Sequence, residues 1–282
     1  MATKTGFTPK KDYLEVAKAN IVRAQDVKKY PKILIYARKK VGKTTLALTA
    51  GTPDEMLVID PEEGAFYKTK TNPYIWPVTK WADMEDVYGA LRTGKLSPNY
   101  LKQGESSTPF KWAIYDGMTR INNMALHHVR HEQEERNLDR IPGMIDRRDY
   151  NKSGELLKQM LANLETLKMG VIYTAHERVK TASYDEDNED EDSVSTEVSY
   201  VPDLPDGVRN HLNALVDVIG RLYIVRIDDP KNEGKKIAYR RLHIGPSEGY
   251  DTGYRSEFKL TDILKSPTIP KLVQQMKEGV KQ

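Results

Sequence analysis

A glycine, a lysine and two threonines stand together five residues after an apolar stretch near the start of the chain. Ile33 to Tyr36 has the composition of a buried strand, and Ala37 to Thr45 leads from it into a helical pattern. A strand, a tight turn and a helix in this order point backbone N–H groups and the positive end of the helix dipole at an anion. The segment therefore predicts a loop that holds a triphosphate.

Within this loop each residue type has a chemical reason. Lys43 would reach the β- and γ-phosphates, Gly42 would let the backbone approach them, and the Thr44 hydroxyl would bind Mg²⁺. Ala37 replaces the first glycine of the pattern, which indicates a position without positive φ or a slightly remodelled loop; a chance match in a basic turn is the alternative. The predicted nucleotide ligands are Ala37, Arg38, Lys39, Lys40, Val41, Gly42, Lys43, Thr44 and Thr45.

Carboxylates end two further apolar stretches. Asp116 stands where a nucleotide-binding protein places the carboxylate that holds the waters of Mg²⁺, although an N-cap at the start of a helix is an alternative. Glu62 and Glu63 follow another apolar stretch, and either could polarise the water that attacks the γ-phosphate. The alternative for this pair is a solvated, capped turn.

Histidines occur in two relevant places. His176 follows the apolar stretch 169–174, so it is predicted at the same edge as the nucleotide, where it could sense the γ-phosphate or be an ordinary loop residue. His127, His131 and Glu135 have the spacing of metal ligands on one helical face. Nothing in the sequence completes a catalytic metal set around them, so a surface helix is the favoured interpretation.

The elements that must position these side chains alternate between strand and helix. This alternation predicts an α/β fold with a mostly parallel central sheet flanked by helices, and with the ligand at the carboxyl ends of the strands. Residues 216–227 and 236–244 predict an antiparallel hairpin that extends the sheet at its C-terminal end. The other predicted strands are 33–36, 56–60, 74–78, 112–116 and 169–174, and the predicted helices are 13–27, the segment after Thr44, 81–91, 154–168 and 267–277.

Composition limits the class of protein. The 282 residues include no cysteine, which excludes a disulfide scaffold and a thiolate zinc site. No stretch has the apolar length of a membrane span and the N-terminus lacks a signal-peptide core, so a soluble cytoplasmic protein is expected, without membrane contact. The net charge is +3 although residues 185–192 include seven acidic side chains, so the remaining chain is basic and compatible with a polyanion.

Four motifs between about residue 30 and residue 260 resemble the RecA-like recombinase ATPases, and among them the small phage proteins of the single-strand-annealing type with a RecA core. Ile59-Asp60-Pro61-Glu62-Glu63 is similar to the family's Ile-Asp-x-Glu segment, which implies that Glu62 activates water. Tyr115-Asp116-Gly117 resembles the Walker B strand end. Tyr173-Thr174-Ala175-His176 resembles the strand whose last polar residue couples nucleotide state to DNA, which implies a sensor role for His176.

The resemblance also implies a mobile DNA-binding loop directly after His176. Residues 178–206 show no helical or strand period and are predicted as this long loop. Its acidic run would repel phosphates, so DNA contact is expected only through Arg178, Lys180 and Arg209. An autoinhibitory DNA mimic, a protein-binding segment and an unstructured insertion remain alternatives.

A second candidate for DNA contact is the segment 137–151, with a solvated charged linker as the alternative. Arginines that follow phosphates and a tyrosine that stacks on bases are typical of single-strand binding. The residues concerned are Arg136, Arg140, Arg147, Arg148, Tyr150 and Lys152.

Arg255 stands where relatives carry a basic residue that reaches the γ-phosphate of the neighbouring subunit. The resemblance therefore makes it the candidate finger that acts in trans. Lys259, Arg240 and Arg241 are alternatives.

Together these observations predict an N-terminal tail and helix (1–29), a RecA-like P-loop NTPase core (30–265) and a C-terminal helix (266–282). The expected function is slow, DNA-stimulated hydrolysis of ATP with Mg²⁺ by a head-to-tail homo-oligomer, ring or filament, that acts on single-stranded DNA in recombination or annealing. A phage or host single-strand-binding or recombination protein is an expected partner, and the host cytoplasm the location if a phage encodes the chain. A P-loop kinase, a motor unrelated to DNA and a nucleotide-gated adaptor for a protein partner remain alternatives.

Overall fold

The computed structural model describes residues 12–104, 108–184, 195–229, 232 and 234–280. The chain divides into two compact units, one up to Tyr30 and one from Pro31 onward. The acidic run 185–192 lies outside the described residues, so the alternatives for its role stay open.

The described part of the first unit contains one helix, α1 (Tyr13–Asn20), and a 3-10 turn at Ala24–Asp26. Asp12 caps α1 because its side chain accepts the N–H groups of Leu14 and Glu15. The predicted extension of this helix to residue 27 was wrong, since Ile21 takes an extended backbone conformation and closes the last turn.

The second unit is built on a sheet whose ten described strands run in the order β10-β8-β7-β1-β5-β4-β2-β3, with β6 paired to β5 and β9 to β7. The six strands from β7 to β3 in this order are mutually parallel, and β8, β9 and β10 add antiparallel pairs beyond β7. The predicted α/β fold with a C-terminal antiparallel extension is therefore confirmed. The strands are β1 (Lys32–Ala37), β2 (Met56–Asp60), β3 (Tyr74–Pro77), β4 (Trp112–Asp116), β5 (Gly170–Tyr184), β6 (Ser195–Pro202), β7 (Val218–Asp228), β8 (Lys236–His243), β9 (Gly253–Tyr254) and β10 (Ile263–Lys265).

Helices cover both faces of this sheet, so the central strands are buried on both sides. Along β1 the side chains alternate: Leu34 and Tyr36 pack into one core with α3, α5, α6 and α7, whereas Ile33 and Ile35 pack into the other with α2 and α8. The helices are α2 (Lys43–Ala47), α3 (Trp81–Arg92), α4 (Pro98–Gln103), α5 (Met118–Arg136), α6 (Arg147–Glu165), α7 (Asp206–Leu215) and α8 (Ile269–Glu278).

The predicted mobile loop 178–206 was wrong in its described parts. Strand β5 continues to Tyr184 and pairs with β6 in an antiparallel hairpin, and α7 begins at Asp206. Val179 and Val198 are exposed and Val201 is buried, so the side chains that the structure describes here form no continuous buried face that would give an apolar period. Backbone hydrogen bonds between the two strands hold the hairpin instead, and these leave little signal in the sequence.

The segment 137–151 is also more ordered than predicted. Helix α6 begins at Arg147 rather than residue 154, because the Asp146 side chain accepts the N–H groups of Arg148 and Asp149. It ends at Glu165, three residues before the predicted end.

No helix within the described part of the chain combines the length and the apolar character that crossing a membrane requires.

Strand β1 begins with a buried lysine, Lys32, and the stability of the fold should therefore depend on pH. Lys32 is only 6% exposed, and its Nζ donates to the carbonyl oxygens of Leu167 (3.0 Å) and Met169 (2.9 Å). Burial lowers the pKa of Lys32 from 10.5 to about 8, against the opposing effect of Asp217.

We expect the wild-type protein to gain stability relative to Lys32→Met as the pH rises from 8 to 10.5. In this range the unfolded chain still binds a proton at Lys32 that the folded chain has released, so raising the pH favours folding. Urea unfolding of both proteins at several pH values measures the difference. A difference that stays constant across the range would contradict the prediction.

Candidate active site

The register of the parallel strands brings most of the predicted site residues to one edge of the sheet. Ala37 at the end of β1 lies beside His176 on β5, and Asp116 at the end of β4 lies beside Thr174. A cavity of about 960 Å³ opens at this edge. Its lining includes Lys39, Lys40, Gly42, Lys43, Thr44, Thr45, Asp60, Glu62, Glu63, Asp116, Gly117, His176 and Arg240.

The loop between β1 and α2 contains two residues with a left-handed backbone. Gly42 has a φ of 109°, and a Cβ at this position would lie 2.6 Å from the Arg240 Nε, so only glycine fits without rearrangement. Lys40 is also left-handed, with a φ of 64°. Ala37 is not among the described residues with positive φ, which favours the explanation that its position needs no glycine. Helix α2 starts directly at Lys43.

A buried carboxylate joins the loop to two strands. The Thr44 Oγ1 donates to Asp116 Oδ2 at 2.6 Å, and the Thr174 Oγ1 donates to Asp116 Oδ1 at 2.7 Å. Burial raises the pKa of Asp116, and the two hydroxyls oppose this shift by stabilising the ionised form. A hydroxyl and a carboxylate side by side form a set of hard oxygen donors, which fits Mg²⁺.

A second set of contacts links Lys43 of the loop to Glu62 through His176. The Lys43 Nζ lies 3.2 Å from His176 Nδ1, and the opposite ring nitrogen, Nε2, lies 3.5 Å from Glu62 Oε1. Because an ammonium group can only donate, Nδ1 accepts and the ring proton is on Nε2, facing Glu62. The His176 contact lowers the pKa of Glu62, and burial lowers the pKa of Lys43. The backbone N–H of His176 is fixed by Thr119 Oγ1 at 3.1 Å.

The turn after β2 places Glu62 and Glu63 in different surroundings. The buried Asp60 carboxylate accepts the N–H groups of Glu62 (3.0 Å) and Ala65 (2.7 Å), so it caps this turn. The Glu62 carboxylate lies against Gly117, whose φ is 125° and where a Cβ would come within 3.1 Å of Oε1. Glu63, with a left-handed φ of 56°, also lines the cavity but lacks these contacts.

Arg240 also belongs to this site. The sequence suggested it only as an alternative to Arg255 for contact with the γ-phosphate of a neighbouring subunit. Its Nε donates to the carbonyl oxygen of Val41 at 2.8 Å, so it contacts the loop of its own chain. The two residues are 199 positions apart, and no local pattern predicts such a contact. Arg255, by contrast, donates to the carbonyl oxygen of Ala214 at 2.6 Å and is not among the residues that line the cavity. Its role in trans stays a prediction.

Glu177, the residue after His176, is a further feature that the sequence did not reveal. Its carboxylate binds Arg38 of the loop at 3.3 Å and Arg221 of β7 at 2.6 Å. The Arg221 guanidinium also lies over the rings of Tyr200 (4.5 Å) and Tyr250 (4.4 Å). These contacts connect the loop between β1 and α2, strand β5 and the base of the β5–β6 hairpin.

The basic residues proposed for DNA contact differ in their surroundings. Arg178 and Lys180 lie on β5 and both pair with Asp206. Arg140 pairs with the buried Asp149, so its charge supports the fold. The two arginines that open α6, Arg147 and Arg148, are exposed.

The histidine-rich face of α5 gives no metal site. Among the described residues, no group of three or more potential His, Cys, Asp or Glu ligands lies close enough to hold a metal ion.

We expect Glu177→Ala to destabilise the protein by about 3 kcal/mol, because it leaves the Arg221 guanidinium, 13% exposed, without its carboxylate. The matched control is Arg38→Ala. It removes a partner that is 72% exposed and should cost about 1 kcal/mol or less. Urea unfolding measures both, and equal losses would contradict the prediction.

Comparison with known proteins adds the family. A family model described as an AAA domain matches residues 29–256. No curated protein gives a significant match. Among solved structures, the crystal structure of the flagellar accessory protein FlaH from Methanocaldococcus jannaschii matches 84% of this chain and 90% of its own, at 10% identity and a TM-score of 0.34. Because the family model covers most of the sequence, the chain belongs to the AAA domain family, and its mostly parallel sheet flanked by helices is consistent with a RecA-like P-loop NTPase fold.

Proposed function

We propose that this protein hydrolyses ATP with Mg²⁺ as a homo-oligomer and acts on single-stranded DNA in phage-type recombination or strand annealing. The observation that supports hydrolysis best is the convergence of Lys43, Glu62, Asp116 and His176 on one cavity at the end of the loop. Each has the chemistry that one part of the reaction needs.

Lys43 and Glu62 would carry the chemical step. Lys43 balances the charge of the β- and γ-phosphates. Glu62 remains ionised, since its pKa is lowered, and accepts a proton from a water molecule. The water oxygen forms a bond to the γ-phosphorus while the bond from that phosphorus to the β,γ-bridging oxygen breaks, giving ADP and phosphate.

Thr44 and Asp116 would hold the magnesium ion, Thr44 directly and Asp116 through the waters of the ion. Bound there, the ion neutralises charge on the phosphate oxygens. Thr174 keeps the Asp116 side chain in place through its 2.7 Å hydrogen bond.

His176 would report the state of the nucleotide. It contacts both Lys43 and Glu62. A γ-phosphate that binds Lys43 would compete for the contact with Nδ1 and so alter the position of the ring. Since β5 continues without a break into the hairpin with β6, a change at His176 could be transmitted along this strand.

Action on DNA is supported by the connection between α5 and α6. Arg147 and Arg148 are exposed at the start of α6, and Tyr150 (56% exposed) follows them on the same helix. An exposed ring and exposed cations together favour a flexible polyanion with accessible bases. Recombination or annealing, head-to-tail assembly and a trans role for Arg255 are proposed from the resemblance to the RecA-like recombinases.

A kinase remains a second candidate because the lining of the cavity also includes Val78, Thr79, Arg120 and Met124. An arginine in the same cavity as Lys43 and Glu62 could hold an anionic acceptor. Transfer of phosphate from ATP to nucleosides or nucleotides, rather than to water, would favour this candidate.

We expect Glu62→Gln to lower ATP turnover by about 100-fold or more while ATP affinity changes little, because it removes the base but not the phosphate ligands. Lys43→Ala should lose ATP binding as well. The matched control is Glu63→Gln, on the adjacent residue, which should retain turnover. Phosphate release and fluorescent-nucleotide binding measure the two effects, and equal losses in both glutamate variants would contradict the assignment of Glu62.

We expect single-stranded DNA to stimulate turnover, and the double substitution of Arg147→Ala and Arg148→Ala to reduce this stimulation while basal turnover is unchanged. Plotted against the logarithm of the salt concentration, the logarithm of the DNA affinity falls with a negative slope. Loss of two phosphate contacts should make this slope shallower by about 1.4, at roughly 0.7 per contact on a single strand. ATP hydrolysis with and without DNA, and DNA binding at several salt concentrations, measure these effects.

The matched control for this experiment is the double substitution of Arg226→Ala and Lys236→Ala, which removes two exposed cations on the antiparallel extension. It should leave the stimulation unchanged. Turnover that does not respond to DNA in the wild-type protein would count against DNA as the partner.

A further inference from the structure

A lysine from outside the phosphate loop reaches the cavity of about 960 Å³ that the loop lines. The Lys68 Nζ donates to the Thr45 Oγ1 of α2 at 3.0 Å, and both residues line this cavity. Within the part of the chain that the structure describes, the Lys68 ammonium group makes no salt bridge. Its charge is therefore available to an anion at the start of α2.

The backbone of Lys68 is fixed by the turn after β2, which also carries Glu62. The Asp60 carboxylate accepts the N–H groups of Glu62 and Ala65, and the 3-10 turn Gly64–Tyr67 follows. The N–H of Lys68 closes this turn by donating to the carbonyl oxygen of Ala65 at 2.9 Å. Its own carbonyl oxygen accepts two further backbone N–H groups, at 3.0 and 2.8 Å. Glu62 and Lys68 are therefore parts of one hydrogen-bonded unit.

The two threonines at the start of α2 point in different directions. The Thr44 hydroxyl faces Asp116, and successive side chains of a helix project about 100° apart around its axis. A magnesium ion at Thr44 would neutralise the β- and γ-phosphates, which Lys43 also binds. The α-phosphate is the remaining charge, and a phosphate loop holds it at the start of the helix as well. Lys68, beside Thr45, is a cation placed to neutralise it.

We propose that Lys68 binds the α-phosphate, and that this contact ties the turn after β2 to the bound nucleotide. The proposal rests on the proposed function, because it takes a nucleoside triphosphate as the ligand of the phosphate loop. An ammonium group has three donors, so Lys68 can bind a phosphate oxygen while it keeps its hydrogen bond to Thr45. Lys68 acts on the chemical step only through the position of Glu62, which belongs to the same turn.

Nucleotide binding to Lys68→Ala tests the proposal. The α-phosphate is common to ATP and ADP, so we expect both to bind about tenfold more weakly, through loss of one charge-assisted hydrogen bond. Turnover at saturating ATP should also fall by about threefold or more, because the turn that carries Glu62 loses its link to the nucleotide. Competition against a fluorescent ATP analogue measures the affinities, and phosphate release measures turnover.

Two further variants separate charge from structure. Lys68→Arg keeps the cation and should restore both affinities to within about threefold of the wild type. Lys70→Ala is the matched control, since Lys70 is an exposed lysine two residues away that is not among the residues lining the cavity. It should change neither affinity nor turnover. Should Lys68→Ala fail to fold, Lys68→Gln keeps a donor for Thr45 without the charge and gives the same comparison.

Three results would overturn the proposal while the proposed function survives. Lys68→Ala could leave both affinities intact, it could weaken ATP but not ADP, which would make the γ-phosphate the ligand, or Lys68→Arg could fail to restore binding. Full turnover of Lys68→Ala at saturating ATP would refute the link to Glu62. A wild-type protein that binds neither ATP nor ADP would instead refute the proposed function itself.

Discussion

The hydrogen bonds to the buried carboxylate of Asp116 are the interaction on which the rest of the site depends. A carboxylate in this position is costly to bury unless its oxygens are paired, and here Thr44 and Thr174 each donate to one oxygen. These donors lie on α2 and β5, so satisfying one carboxylate fixes the phosphate loop, the end of β4 and strand β5 relative to each other. The position of His176, two residues after Thr174, and hence its contact with Glu62, follows from the same arrangement.

The antiparallel extension contributes to the site from the other side. Strand β8 brings Arg240 to Val41 and Gly42, which makes the C-terminal part of the chain a wall of the phosphate loop. Two physical reasons explain why position 42 is glycine: its backbone is left-handed, and the Arg240 side chain lies where a Cβ would be. Glu177 of β5 forms salt bridges with Arg38 of the loop and Arg221 of β7. The loop is therefore held by contacts with both β5 and the antiparallel extension.

Each error of the sequence analysis has its own physical cause. Residues 178–184 and 195–202 carry no apolar period, and Val179 and Val198 are exposed, so these strands were interpreted as part of a loop. The start of α6 was placed seven residues late because the segment is highly charged, although Asp146 supplies a strong N-cap just before Arg147. The helix predicted at 13–27 ends at Asn20, because Ile21 takes an extended backbone conformation; no residue of α1 is buried.

The sequence by itself determined the phosphate loop, the α/β fold, the C-terminal hairpin and the carboxylates at the ends of β2 and β4. These follow from local patterns: buried strands, a glycine-lysine-threonine turn, and polar residues directly after apolar runs. Only the tertiary structure decided which groups meet across the sheet, namely His176 between Lys43 and Glu62, Glu177 between two arginines, and Arg240 at the loop. Such contacts join residues that are far apart along the chain, and they depend on strand order and register, which no local pattern encodes.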